Sequence, residues 1–314
     1  MIYKTLPKSI LHITQDMINQ RIDNFMHKKF KNAPKNMIYR IIRTGKVRVN
    51  KKKIAPFYKL KIGDILNIPP IQVPYKKRNI FILERTKNIL LNHVLYEDES
   101  LLIVNKPSGI AVHGGSGLKF GIIEFFRQCY PKNRFLELVH RIDRETSGIV
   151  MIAKKRLALI SLHEQFRKNN IQKKYIALVH GLWPLNIKKI SQPIKKKLFN
   201  NQKQKVFIAQ TGKFAETYFK INKQYSRTTL LDIFPKTGRT HQIRVHTSHI
   251  GHPILFDTRY GQHDLDNNIN NKIKINRMLL HASEIHFTHP QNAKKIKITA
   301  PLEIKFQKYL NAMI

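Results

Sequence analysis

Asp143 lies between two guanidinium-bearing residues, Arg141 and Arg144, in the stretch HRIDRETSGIVMIAK that runs from His140 to Lys154. Opposite charges close by favour the ionised form of a carboxyl group. An ionised Asp suits nucleophilic or electrostatic work better than proton donation. An ion-paired Asp at the mouth of a strand is the structural alternative, because such pairs bias titration in the same direction. A second polar constellation, Arg239, His241, Gln242 and Arg244, falls in TGRTHQIRVHTSHIGHPILFD from Thr237 to Asp257. Its donors are of the kind that reach phosphate oxygens or base edges. His241, His246, His249 and His252 share that stretch, but no cysteine joins them and their surroundings are cationic. That setting opposes a divalent ion, so no metal is expected.

These residues need elements to hold them. Ile149 to Ala153 is a short apolar run with β-branched members, the pattern of a buried strand. Asp143 therefore belongs to a loop anchored by a core strand, with Thr146, Ser147 and Gly148 supplying turn chemistry. Leu101 to Val104 reads as a strand leading into the turn Asn105 to Gly109, which contains Lys106. The Gly114 to Gly117 loop lacks the spacing of a nucleotide cradle, so no cofactor is expected. Leu159, Leu162, His163 and Phe166 stripe a helix starting near Arg156, and Lys174 to Val179 forms a strand. Tyr175 in that strand reads as packing, its hydroxyl finding a partner. Residues 191–211 read as a hairpin or loop, Ala215 to Ile221 and Thr228 to Phe234 as strands, and Arg277 to Pro290 as a closing strand.

Residues 14–68 have the pattern of a small separate domain. Asp16 is placed to cap a helix carrying Ile18, Ile22, Phe25, Met26 and Phe30 on one face, ended by Pro34. A second helix turns Ile38, Ile41 and Ile42 inward and stops at Gly45. Short alternating segments at Val47–Asn50, Leu60–Ile62 and Ile65–Ile68 follow. Arg40, Arg43, Lys46, Arg48 and Lys51 form a basic surface; the alternative is a helical cap with solvated charges. Pro69, Pro70, Pro74 and the cluster Lys76, Lys77, Arg78 mark 69–90 as a linker. Residues 91–314 form the larger domain.

In 314 residues, 58 Lys and Arg against 19 Asp and Glu give a formal charge of +39. A polyanion, and nucleic acid first among polyanions, is the natural partner. The lysines are spread along the whole chain, so the sign carries more weight than the size. One cysteine, Cys129, excludes a disulfide framework and fits a reducing compartment. It has no local base, and activation of a thiol needs a depressed pKa. Without an apolar leader or a long apolar stretch, a soluble cytoplasmic protein is expected.

The HRIDRETSG segment resembles the signature of the pseudouridine synthases that modify ribosomal RNA. NKPSGIAVHGGSG, GRTHQIRVHT and RMLLHASEIHF match the same family in the same order, and RIIRTGKVRVNKKKI resembles an S-four type RNA-binding domain. The resemblance implies that Asp143 is catalytic and that Arg244 pairs with it from far along the chain. It implies that Tyr175 meets the target base, with a part in proton transfer from the base carbon. Arg141 would fill the space left by a flipped nucleotide or hold phosphate. Arg144, Lys106, Arg239, His241 and Gln242 would join it in binding RNA, with Arg40, Arg43, Lys46, Arg48 and Lys51 on the small domain.

The implied fold is α+β, a mixed, largely antiparallel sheet with peripheral helices, preceded by the small α/β RNA-binding domain. The implied reaction is isomerisation of uridine in large-subunit ribosomal RNA, free or in a pre-ribosomal particle, by a monomer without cofactor or metal. Attack on the sugar, addition to the base and removal of a sugar proton all call for an ionised Asp143. A non-catalytic ribosome-assembly factor would share the charge and the small domain but would not need Asp143, Tyr175 and Arg244 together. A glycoside-cleaving enzyme would call on a second carboxylate, and Glu145 is the neighbouring acid.

Overall fold

The structure, a computed structural model, describes residues 3–30, 33–74, 90–114, 120–131, 133, 135–198, 204–268, 275 and 277–313. The chain divides into two compact units, Met1–Phe81 and Ile82–Ile314.

In the first unit, helices α1 (Ile22–Lys29) and α2 (Lys35–Arg43) pack on short strands β1 (Tyr3–Leu6), β2 (Ser9–His12), β3 (Arg48–Val49), β4 (Lys52–Lys53), β5 (Ile65–Ile68) and β6 (Ile71–Pro74). The strands form a four-stranded sheet in the order β2-β5-β3-β4 and a separate β1-β6 pair. Ile22, Met26, Ile38, Ile42, Val47, Leu60 and Leu66 are the centre of one apolar core. The first helix begins later than its apolar spacing predicts. Gln15–Met17 is a single 3-10 turn, Asn19 adopts a left-handed φ of 57°, and Arg21 bridges Lys59 in extended form. Backbone pairing of Asn19 with Leu60 and of Ile22 with Tyr58 takes the hydrogen bonds that helix would otherwise use. The second helix ends as expected: Gly45, at φ 72°, donates to Ile42 and Lys46 donates to Ile41. Of the segment read as linker, residues 71–74 pair with β1, and 75–89 lie outside the described residues.

The second unit is built on one ten-stranded sheet. Its strands are β7 (Val94–Glu97), β8 (Leu101–Lys106), β9 (Glu137–Leu138), β10 (Ser147–Ala153), β11 (Gln172–His180), β12 (Lys189–Ser191), β15 (Glu216–Gln224), β16 (Thr228–Pro235), β17 (Leu280–Thr288) and β18 (Lys295–Thr299). Within the 191–211 segment, β13 (Ile194–Leu198) and β14 (Gln204–Ile208) form a separate antiparallel pair. The order is β12-β15-β16-β11-β17-β10-β8-β7, with β18 on β17 and β9 on β10. Among the described strands only β10 and β17 run parallel, meeting at Ser147–His281 and Gly148–Ala282. The sheet is thus mixed and largely antiparallel, as the resemblance implies.

Every residue of β10 is buried, because both faces of the sheet are covered there, which is why its sequence is a continuous apolar run. Val150 and Ile152 pack with Phe125 and Phe126 of α3 (Ile122–Cys129) on one side. Ile149 and Met151 pack with Ala158 and Leu162 of α4 (Arg156–Arg167) on the other. Helix α5 (Gln242–His249) joins the core of Ala177, Leu231 and Ile233 through Ile243. A short helix, α6 (His263–Asn268), follows, and α7 (Ile304–Asn311) covers Leu178 and Leu230 with Phe306 and Leu310. The helices are peripheral, and the central strands end where the conspicuous polar residues begin.

Candidate active site

The loop before β10, the start of β11, the loop after β16 and helix α5 converge on an open cleft of about 400 Å³. His140, Arg141, Asp143, Phe166, Arg167, Lys173, Tyr175, Lys236, Arg239, His241, Gln242 and Arg244 are among its lining. Asp143 is the one carboxylate among the described lining residues, facing a wall of guanidinium and ammonium groups.

Its charge partner is not an adjacent arginine. Arg144 turns to Glu145, 3.1 Å away, and donates to the Gly109 carbonyl, while Arg141 is exposed at the cleft rim. Arg244 Nη1 donates to Asp143 Oδ2 at 3.0 Å. The other edge of the same guanidinium makes two 2.7 Å bonds to Asp257. The Arg244 side chain is 7% exposed and that of Asp257 0%, so this bidentate pair is out of water. Burial alone would pull the Arg244 pKa down; the hydrogen bonds and charge of Asp257, and then Asp143, overcome it and raise it. Burial likewise pushes Asp257 up, and Arg244 more than reverses that. Backbone N–H groups of Arg259 and Tyr260 also donate to Asp257. Asp257 closes the quoted Thr237–Asp257 stretch, yet an acid 13 positions from its arginine carries no spacing signal of its own.

His241 opens α5 with a left-handed φ of 54°. Its Nε2 is 3.7 Å from Asp143 Oδ1 and its Nδ1 is 2.7 Å from the Tyr260 hydroxyl. The Tyr260 hydroxyl also accepts the Val206 N–H, so it ties the His241 ring to strand β14. Burial pulls the His241 pKa down to about 4; the ring is neutral at pH 7. The Arg244 guanidinium stacks on the Tyr260 ring at 5.1 Å, a further brace that the sequence did not disclose. Tyr175 lines the cleft from β11, paired with Ile233 and Ala282. Burial, then the charge of Asp143, raises its pKa, so its hydroxyl stays protonated.

Two residues expected to bind RNA are buried and bonded within the protein. Lys106 is fully buried, and its Nζ donates to the carbonyls of Pro107, Ile110 and Arg144 at 2.8 to 2.9 Å. Burial draws its pKa down to about 7, yet three acceptors match the three N–H bonds of an ammonium. It clamps the Asp143 loop from beneath. Gln242 is buried too: its carbonyl oxygen accepts from Thr237 and from the Arg239 N–H, and its amide donates to Glu216 and Thr217. It shapes the turn that carries Arg239, whose exposed side chain donates to the Phe214 carbonyl.

Deeper support comes from Arg277, which pairs with Glu303 and donates to Ser147 Oγ at 3.0 Å. Ser147 also bonds His281 at 2.8 Å. His246 bonds Thr217 and Gln192, and His252 bonds the His180 carbonyl, so the histidines that suggested a metal face different partners. Of the glycine-rich loop, Gly114 donates to Glu124 and residues 115–117 lie outside the described residues. In the first unit, Arg40, Arg43, Lys46, Arg48 and Lys51 are all exposed, with Arg48 tied to the Gly45 carbonyl at 3.1 Å. Lys46, Arg48 and Lys51 line one groove beside Pro69 and Pro70.

Residues 100–249 match the family model described as RNA pseudouridylate synthase, and residues 20–66 match the S4 domain. The chain is 62% identical over 314 residues to a protein of Buchnera aphidicola subsp. Schizaphis graminum named ribosomal large subunit pseudouridine synthase C, all of both chains being covered. It is 49% identical over 296 residues to the protein of that name from Escherichia coli strain K12, covering 94% of this chain and 93% of the other. Its fold resembles that of human RNA pseudouridylate synthase domain containing 4, with a TM-score of 0.57 and 23% identity over 74% of this chain and 98% of that one. A carboxylate held by a distant arginine in a basic cleft, on this sheet and with these relatives, places the chain in the RNA pseudouridylate synthase family.

Proposed function

We propose that the protein isomerises uridine to pseudouridine in large-subunit ribosomal RNA, with Asp143 as the catalytic carboxylate. The observation that carries this reading is the Arg244–Asp143 contact at 3.0 Å in a cleft lined by cations and a single acid. The reaction breaks the bond between the ribose carbon and the base nitrogen, turns the base, and joins the sugar to C5 of the ring. C5 loses its proton and the freed ring nitrogen gains one, so the product is an isomer of the substrate. The nucleotide must first leave the stack, which costs a few kcal/mol, and backbone contacts to Arg141, Arg167, Lys236 and Arg239 offset that cost.

Arg244 holds Asp143 in place at the cleft through its 3.0 Å hydrogen bond, and Asp257 fixes Arg244. The neutral His241 stands beside the other carboxylate oxygen, its Nε2 3.7 Å away. Tyr175 meets the base with its ring; its protonated hydroxyl serves as a hydrogen-bond donor. A glycoside-cleaving mechanism would call for a second acid in the cleft. Glu145 is not among the cleft's lining residues and bonds Arg144.

The exposed cations of the first unit offer a second set of RNA-binding residues, and the chain beyond β6, which still pairs within that unit, serves as tether to the catalytic domain 91–314. No helix among the described residues is long and apolar enough to cross a membrane. The lone cysteine and the ribosomal RNA substrate support a cytoplasmic site of action, free RNA or a pre-ribosomal particle being its target.

The test is pseudouridine mapping of large-subunit RNA incubated, without added cofactor, with the native protein and with Asp143→Asn. New pseudouridine from the native protein alone is the expected result. Binding by both proteins without modification by either, on RNA and on assembly intermediates, would favour a binding-only assembly factor.

A further inference from the structure

The sheet carries an exposed aromatic row beyond the cleft. Tyr218 on β15 and Phe234 on β16 are direct cross-strand partners, and they remain 36% and 37% exposed. Their buried neighbours Phe219 and Ile233 also pair, and Ile233 pairs with Tyr175 on the other side. Side chains alternate across a strand, so the row lies on the sheet face opposite Tyr175.

Cations bracket it. Lys189, on the edge strand β12, is the next partner of Tyr218, and its Nζ stands 5.8 Å from the ring centroid. Lys236 Nζ stands 6.0 Å from the same ring. Lys236 also lines the cleft, so one ammonium group belongs to both surfaces. The acids on this face are already engaged: Asp232 is 2.8 Å from Lys174, and Glu216 is 3.6 Å from Lys189. Single exposed apolar residues are ordinary. Two aromatic rings paired on a sheet face, with ammonium groups at their rim, are the arrangement on which unpaired bases stack while lysines meet the phosphates.

We propose that Tyr218 and Phe234, flanked by Lys189 and Lys236, stack unpaired bases of the substrate RNA next to the reacting uridine. The inference rests on the RNA-modifying reading above. It adds a place for the strand that leaves the cleft over Lys236.

The experiment compares two RNAs, a target hairpin and the same hairpin with a single-stranded extension beside the target uridine. Y218T/F234T removes both rings and places strand-favouring β-branched residues at the two positions. It raises KM for the extended RNA about tenfold and leaves KM for the bare hairpin as in the native protein, while Y218F alone behaves as native. Equal KM values for Y218T/F234T and the native protein on the extended RNA overturn the proposal. A native dimer that the same substitutions dissociate would assign the row to self-association and overturn it as well. Failure of the native protein to isomerise either RNA counts against the enzymatic reading instead; filter binding of the two RNAs then still reads the row. Should the thermal melt show Y218T/F234T unfolded, ultraviolet cross-linking of the native protein to the extended RNA decides. Cross-links in peptides containing Tyr218 or Phe234 support the row, and cross-links that spare both overturn it.

Discussion

Arg244→Lys keeps a positive charge but removes the fork that joins two acids, and its effect follows from the geometry. The guanidinium makes two 2.7 Å bonds to Asp257 and one 3.0 Å bond to Asp143. An ammonium is a point donor and cannot serve both carboxylates. If it stays with Asp257, Asp143 loses a charge-assisted hydrogen bond of about 1.5–3 kcal/mol. If that loss falls wholly on the transition state, turnover drops roughly 10- to 150-fold, since about 1.4 kcal/mol is tenfold in rate. Breaking a buried pair outright costs about 3–5 kcal/mol; with one bond and the charge retained, a stability loss of about 2–3 kcal/mol is expected. In a unit of this size that lowers Tm by very roughly 5–10 °C and leaves the protein folded at 25 °C. The assay is tritium release from RNA labelled at uridine C5, because the new sugar–C5 bond expels that hydrogen. Urea melts of the same preparation separate folding from chemistry. Turnover within twofold of native at saturating RNA, with the protein folded, would refute the argument that Arg244 holds Asp143 ready.

Three further outcomes follow from other parts of the fold. His140, His241 and His281 are each drawn by burial to a pKa of about 4, against about 6.5 in an unfolded chain. Above pH 6.5 both states are neutral; below it the unfolded chain binds protons that the fold refuses. Stability measured by urea titration should therefore fall between about pH 6.5 and pH 4, by several kcal/mol on the order of the linkage relation, and a flat profile over that window would contradict these burials. Lys106→Met removes the donor shared by three carbonyls, of which, among the described residues, only Arg144's keeps another, the Gly109 N–H, so a loss of about 2–4 kcal/mol is expected with RNA affinity in filter binding unchanged; a selective loss of affinity would restore Lys106 to the RNA surface. Gly148→Ala puts a Cβ 2.2 Å from the Ala282 carbonyl oxygen at a φ of 106°, where β10 meets β17, and should abolish cooperative thermal unfolding. Gly238→Ala, with nothing within 4 Å of the added carbon, is the matched control and should melt as native.

Local sequence determined a good deal of this protein. The apolar run Ile149–Ala153 could only be a covered strand, and that put Asp143 on a loop at its mouth. Gly45 and the Ile38, Ile41, Ile42 spacing determined α2 and its end, because helix caps and faces are set by near neighbours. The ordered motifs carried the family and its pairing of Arg244 with Asp143 as an implication of resemblance. Tertiary structure decided the rest. Arg144 is adjacent to Asp143 in sequence, yet it turns away, since side chains next to one another on an irregular loop need not share a direction. Lys106 and Gln242 look like RNA contacts by type, but folding buries them against carbonyls, an N–H and hydroxyls of neighbouring loops and strands. Helix α5 is polar in sequence and enclosed in fact, so its periodicity shows no buried face. Asp257, Tyr260 and the Tyr218–Phe234 row come from separate segments, and only strand register and the close approach of distant loops give them partners.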